Sequence, residues 1–206
     1  SFSINGVPCA PTVSITPVPT YTNSTLTANA SDSIDPEGAA VNYGFEWLQN
    51  GQATTYNTAT VPDSATTKNE TWTVRVTPND GISDGPFTET SVVILNTAPT
   101  ITNVGISPSS PTNTDTLTCN YTTTDPDESP NTTVVWTNNT TGATLGNSDS
   151  LVLTTATASV SDSITCSVTT TDSDGANDSG SASTVIINRL PVVNSVTISP
   201  SSASNV

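Results

Sequence analysis

Apolar residues along this chain come in short alternating runs. Val41, Tyr43, Phe45 and Trp47 are spaced by two, as are Trp72, Val74 and Val76. Val134 and Trp136, then Ile164, Cys166 and Val168, repeat the pattern further on. A spacing of two places one set of side chains on one face of an extended strand. No segment sustains a helical period, so the chain reads as all-β, with half-buried strands between turns. The longest unbroken apolar run, Val92-Val93-Ile94-Leu95, is far too short to form a membrane-spanning helix.

The runs belong to a long internal repeat. Ile4-Asn5-Gly6-Val7-Pro8, Leu95-Asn96-Thr97-Ala98-Pro99 and Ile187-Asn188-Arg189-Leu190-Pro191 are three versions of one junction, each followed nine residues later by Pro17, Pro108 or Pro200. Other landmarks keep register: Leu26 with Leu117, Asp35-Pro36-Glu37 with Asp125-Pro126-Asp127, Trp47 with Trp136, and Asp80-Gly81 with Asp174-Gly175. A fixed long period is the mark of tandem modules. The expected organisation is the last strand of a preceding repeat plus a linker over 1–8, one repeat over 9–97, a second over 98–190, and the first strand of a following repeat over 191–206. Both ends then fall inside a repeat. With Ser1 as its first residue, the chain reads as a mature or excised piece of a longer array.

Composition narrows the function. Thr, Ser and Asn supply about 90 of the 206 residues, a mixture that suits strands and turns. Three basic residues stand against 18 acidic ones, a net charge of −15, which excludes a phosphate-binding surface for nucleic acid or anionic lipid. Histidine is absent, removing the commonest acid–base catalyst and metal ligand. No Gly-rich phosphate cradle follows a strand. Glu46 and Glu70 read as isolated, outward-facing carboxylates. The chain is therefore not expected to be an enzyme.

Cys119, Trp136 and Cys166 stand 17 and 30 residues apart. That order resembles the immunoglobulin pattern, in which cysteines on the second and sixth strands flank a tryptophan on the third. Ile164 stands two residues before Cys166, where many members carry a tyrosine. The closer likeness is to the tandem immunoglobulin-like, cadherin-like repeats of large bacterial and archaeal extracellular surface or filament proteins. The resemblance implies tandem immunoglobulin-like β-sandwiches, with Trp47, Trp72 and Trp136 in their cores. It implies a Cys119–Cys166 disulfide across the two sheets; the other reading is two buried thiols. The first repeat carries Ala28 and Val74 at the cysteine positions, with Trp72 as compensating volume. Cys9 is left over, either paired with another repeat or chain, or free.

Disulfide use points to an oxidising, extracellular or cell-surface setting. Asn23, Asn29, Asn69, Asn120, Asn131, Asn138, Asn139 and Asn177 lie in Asn-X-Ser/Thr tripeptides and are candidate N-glycan acceptors. Acidic residues gather in the loops after the second and sixth strands. These are Asp32, Asp35 and Glu37 with Asp80 and Asp84, then Asp125, Asp127 and Glu128 with Asp172, Asp174 and Asp178. The resemblance puts both loops at the end of the sandwich where the linker arrives. Together with the linker asparagines they are candidate Ca²⁺ ligands; the competing reading is that Asp, Asn and Gly simply make turns. No cofactor is required.

These features predict a structural segment of a rod-like extracellular filament, stalk or surface-layer protein. Its partners would be copies of itself or adjacent repeats, with no nucleic acid and no membrane insertion in this segment. Short Asn-X-X-Pro linkers, stiffened by proline, support that reading. The alternatives are an adhesin or ligand-binding repeat region, and a spacer module of a secreted hydrolase. Of the aromatics, Tyr21 and Tyr56 are the loop candidates for a sugar contact.

Overall fold

The computed structural model describes residues 4–197. Among these residues there are fourteen β-strands, one 3₁₀ turn at Asp63–Ala65 and no α-helix. The chain divides into two compact units. Unit 1 comprises Ser1–Pro99, Thr124–Pro130 and Thr171–Asn177, and unit 2 the remainder.

The first seven strands form one sandwich. β1 (Thr12–Thr16), β2 (Leu26–Ser31) and β5 (Thr60–Val61) make a three-stranded sheet. β4 (Gln52–Ala53), β3 (Asn42–Gln49), β6 (Thr71–Asn79) and β7 (Thr88–Val93) make the facing four-stranded sheet in that order. Alternation decides which faces meet. Trp72, Val74, Val76 and Pro78 of β6 are buried, whereas their neighbours in sequence are half-buried. β3 pairs with β6 along its whole length, Trp47 opposite Val74. Ile15, Leu26, Trp47, Val61, Trp72, Val74, Val76 and Ile94 then fill the space between the sheets. Each large apolar side chain so enclosed contributes about 1.5–3 kcal/mol.

The next seven strands repeat the plan. β8 (Thr100–Ser107), β9 (Thr116–Thr124) and β12 (Ser150–Val152) form one sheet. β11 (Ala143–Gly146), β10 (Asn131–Asn138), β13 (Ser163–Thr171) and β14 (Asn177–Val185) form the other. Cys119 on β9 and Cys166 on β13 are bonded, their Cα atoms 6.2 Å apart. Both lie in one buried cluster with Trp136, as the immunoglobulin resemblance implied.

The two cores reach the same end differently. Ala28 and Val74 take the cysteine positions in the first sandwich. There Trp72 meets Trp47 edge-on at 6.4 Å between ring centroids, and Tyr56 meets Trp72 at 6.0 Å. Tyr56 lies in the loop between β4 and β5, as expected, but its half-buried ring packs on the core wall. Glu70 is not isolated either: it accepts the Trp72 indole N–H at 2.9 Å and the Gln49 amide at 2.6 Å. Glu46 pairs with Arg75 at 2.9 Å on the outer sheet face.

Residues 4–10 and 186–197 carry no strand. The rest of the expected terminal strands, residues 1–3 and 198–206, lies outside the described residues.

Candidate functional site

The acidic loops and the linker form one hydrogen-bonded arrangement that occurs twice. In the loop after β2, Asp35 Oδ1 accepts the backbone N–H groups of Glu37 and Ala39 at 3.0 and 2.9 Å. In the loop after β6, Asp80 Oδ1 accepts those of Ile82 and Ser83, both at 2.7 Å. Each is an Asx turn, the side chain of one residue capping the amides that follow. Gly38 and Gly81 supply the positive φ these turns need, at 80° and 93°. Asp80 Oδ2 and the Glu37 carboxylate face the linker. Asn5 donates its carboxamide to Asp80 Oδ2 at 2.9 Å, and the Gly6 N–H donates to Glu37 Oε2 at 2.9 Å. Pro8 is buried just beyond.

The loops after β9 and β13, which fall in unit 1, repeat the carboxylate turns and their linker contacts, without a glycine in the first. Asp125 Oδ1 accepts the Asp127 and Glu128 amides at 2.7 and 3.3 Å. Asp172 Oδ1 accepts the Asp174 and Ala176 amides at 3.0 and 2.8 Å. Asn96 donates to Asp172 Oδ2 at 2.7 Å, and the Thr97 N–H to Asp127 Oδ2 at 2.8 Å. Thr22 Oγ1 adds a third contact, donating to Asp127 Oδ2 at 3.0 Å. The geometry corrects one sequence alignment. Asp80 corresponds to Asp172 and not to Asp174, because β6 and β13 are both nine residues long and each aspartate follows its strand directly.

A single cation completes the second set. Lys68 Nζ lies 2.5 Å from Asp174 Oδ2 and 3.4 Å from Glu128 Oε2, with Ser173 Oγ and Asn96 Oδ1 at 3.3 and 3.4 Å. Glu128 also accepts the Ser173 backbone N–H and, at 2.8 Å, its hydroxyl. Sequence reading missed this role of Lys68, since nothing near it in the chain is acidic except Glu70.

The electrostatics follow from these bonds. The Ser83 amide, the Asn5 carboxamide and the Ile82 amide hold Asp80 below the ordinary carboxylate range. Burial opposes ionisation of Asp172, but Asn96 and the turn amides outweigh it and the net shift is downward. Ser173 lowers Glu128, first through its amide and then its hydroxyl, with Lys68 assisting. Lys68 is raised, chiefly by its hydrogen bond to Asp174. All four groups are therefore held in their charged forms.

The remaining candidate ligands serve other contacts. Asp84 accepts Asn79 at 2.6 Å, Asp32 accepts Ser31 at 2.8 Å, and Asp178 Oδ2 accepts the Ile101 N–H at 2.7 Å. Oδ2 of Asp35 and of Asp125 is enclosed without a hydrogen-bond partner, at the same place in each repeat. A calcium site needs six to eight oxygens converging on one point. Among the described residues no three acidic, histidine or cysteine side chains converge on such a point. In this conformation the acidic set is a pair of turns holding a linker.

Burial divides the glycan acceptors. Asn23, Asn29, Asn69, Asn120, Asn131, Asn139 and Asn177 are exposed. Asn138 is fully buried, its carboxamide donating to Asp162 Oδ2 at 2.8 Å and to the Thr157 carbonyl at 3.3 Å. It is withdrawn as an acceptor, because the nitrogen a glycan would use is enclosed in the core. Cys9 is free and exposed; its sulfur accepts the Ile34 N–H at 3.2 Å.

Strand order, the two-sheet core and the cross-sheet disulfide decide the architecture. The chain is a tandem of immunoglobulin-like β-sandwiches. No protein-family model matches the sequence, and no curated protein is similar to it. Several solved structures are similar to it. One holds three N-terminal domains of the bacteriophage RB49 highly immunogenic outer capsid protein: 17% identity, 88% of this chain, 58% of that one, TM-score 0.34. This chain thus spans little more than half of that structure. The chicken interferon gamma receptor alpha chain gives 10% identity over 88% and 99% of the two chains, TM-score 0.45. A Ca²⁺-stabilized adhesin with which an Antarctic bacterium binds ice gives 18% over 90% and 49%, TM-score 0.29. Likeness this distant carries no argument about function, and the fold assignment rests on the topology.

Proposed function

We propose that this chain is a load-transmitting segment of a rod-like extracellular filament, stalk or surface-layer protein made of tandem immunoglobulin-like domains. One observation carries the reading: the linker asparagine and the next backbone N–H are seated on the same two acidic turns in both repeats. The sequence spends its carboxylates on receiving a linker, which is a joint's chemistry. The disulfide supports an oxidising setting. The seven exposed acceptor asparagines suit N-glycans, whose hydration would replace scarce surface charge. Partners in this reading are neighbouring repeats or copies of the chain, and no step of catalysis is involved.

Pulling the chain by its ends in a force experiment tests the proposal. A load-bearing pair of sandwiches gives two separate unfolding events on each extension. Smooth extension without force peaks would reject a mechanical role. Saturable binding to a cell-surface glycan or matrix protein, lost on substitution of exposed loop residues, would favour the adhesin reading instead.

A further inference from the structure

The linker motif occurs a third time, and its third copy lies uncovered. Asn188, Arg189 and Pro191 stand 92 residues after Asn96, Thr97 and Pro99. The backbone is held alike up to that point: Ile187 N–H donates to the Pro111 carbonyl at 2.8 Å, as Leu95 N–H donates to that of Thr20 at 2.8 Å. Beyond it the two copies part. Pro8 and Pro99 are buried and Asn96 and Thr97 half-buried, but Asn188, Arg189, Leu190 and Pro191 are all exposed.

The residues that follow say what would cover them. Val193 and Val196 stand 92 residues after Ile101 and Val104, which pack against the second sandwich core. Val193 and Val196 are instead 77% and 82% exposed. Ile101 and Val104 are covered by a sandwich core, and Val193 and Val196 lack that cover. Charge points the same way. Arg75 is held between Glu46 and Glu89, and Lys68 lies among Glu128 and Asp174. Arg189 is the third basic residue of the sequence, and it occupies the position from which Gly6 and Thr97 address a loop carboxylate.

We propose that residues 187–197 are a docking strap for one kind of partner, a further immunoglobulin-like repeat in the same polypeptide with acidic turns after its second and sixth strands. Asn188 donates its carboxamide to the aspartate that opens the second of these turns. The Arg189 N–H donates to the carboxylate of the first, with the guanidinium beside it. Val193 and Val196 close on the partner's core as Ile101 and Val104 do. A second copy of this chain is a poor occupant, because its own linkers already fill Asp80 and Glu37, and Asp172 and Asp127. The proposal rests on the tandem-repeat reading and adds the contact that joins one repeat to the next.

The test extends the full chain by its own sequence. Appending a copy of Asp115–Asn188 directly after Val206 completes a third repeat in register. Appending Ser24–Asn96 instead does so with the first repeat's strands. Expected with at least one extension is a third cooperative unfolding unit, with backbone amides of 188–197 protected from hydrogen exchange; in the unextended chain they exchange freely. Asn188→Ala should then lower the added unit's folding equilibrium constant about tenfold, as should replacing the aspartate it addresses in the appended copy only. A folded third unit indifferent to both substitutions overturns the contact and leaves the tandem reading standing. No third unit from either extension overturns both. Sedimentation of the unextended chain should show a monomer. Head-to-tail association lost on Asn188→Ala would overturn the choice of partner.

Discussion

At the scale of single residues, the two sandwiches differ in what pins their sheets together. The Cys119–Cys166 bond closes a loop of 47 residues. In the chain-entropy model that is worth about 4 kcal/mol. Replacing both cysteines with alanine should lower the stability of the second sandwich by about that amount and leave the first unchanged, as read by domain-resolved denaturant unfolding. In the first sandwich the equivalent pin is the Trp47–Trp72–Tyr56 cluster, held by Glu70. Glu70→Ala leaves the buried Trp72 indole N–H without its acceptor and should cost about 1–3 kcal/mol. A loss under about 0.5 kcal/mol would show that Glu70 is dispensable. Two glycines are set by close approach. A Cβ at Gly85 would stand 2.1 Å from the Pro8 carbonyl oxygen, and one at Gly180 would stand 2.7 Å from Val104 Cγ2. The first meets backbone and the second a side chain that can turn, so Gly85→Ala should destabilise more than Gly180→Ala.

At the scale of elements, the turns after the second and sixth strands are built on ionised carboxylates, and that fixes how stability depends on pH. Asp80, Asp172 and Glu128 in the loops, and Asp162 through the Ser159 amide and Asn138, are all held below their ordinary values. Such groups stabilise the fold fully above their unfolded values of 3.8 for Asp and 4.5 for Glu. That contribution is lost as pH falls through the lower folded values. Lys68 is raised above 10.5, so its contribution is complete below that value and is lost as pH rises beyond it. The melting temperature should therefore form a plateau through neutral pH, falling below about pH 4 and again above about pH 10.5. Lys68→Met should remove part of the alkaline limb and, because Lys68 also helps hold Glu128 down, soften the acid limb slightly. An unchanged alkaline limb in that variant would show that Lys68 and its carboxylates do not couple to folding.

At the scale of the whole molecule, the acidic turns bear on calcium and the disulfide on extension. With most of their oxygens given to backbone amides and linker donors, the loops should show no heat of binding at millimolar Ca²⁺ and no change of melting temperature with chelator. A calcium-dependent rise in melting temperature would mean that the turns reopen around an ion, with Asp35 Oδ2 and Asp125 Oδ2 as the first ligands to examine. Under force, reductant should lengthen the extension released by the second sandwich by about 160 Å, taking ~3.4 Å for each of the bridged residues. The first sandwich should be indifferent to reductant. Equal lengthening in both would contradict the assignment of the bond.

The amino-acid sequence by itself determined the all-β class, the repeat and the core. Alternating Trp72-Val74-Val76 and Ile164-Cys166-Val168 can bury one face only as strands, and a period of about 92 residues appears wherever two modules share one plan. It also placed the acidic loops, because turn residues are legible as local chemistry. Its alignment of Asp80 with Asp174 failed because loop lengths differ between the repeats, and only strand ends show which aspartate follows directly. Its sequence motifs made Asn138 look like a glycan acceptor, because local motifs do not report burial. Tertiary structure alone decided that Asn5 and Asn96 address Asp80 and Asp172, and that Lys68 lies against Glu128 and Asp174. Those pairs are 60 to 106 residues apart in sequence. Contacts at that separation are set by how strands stack into sheets, and nothing in the neighbouring sequence encodes them.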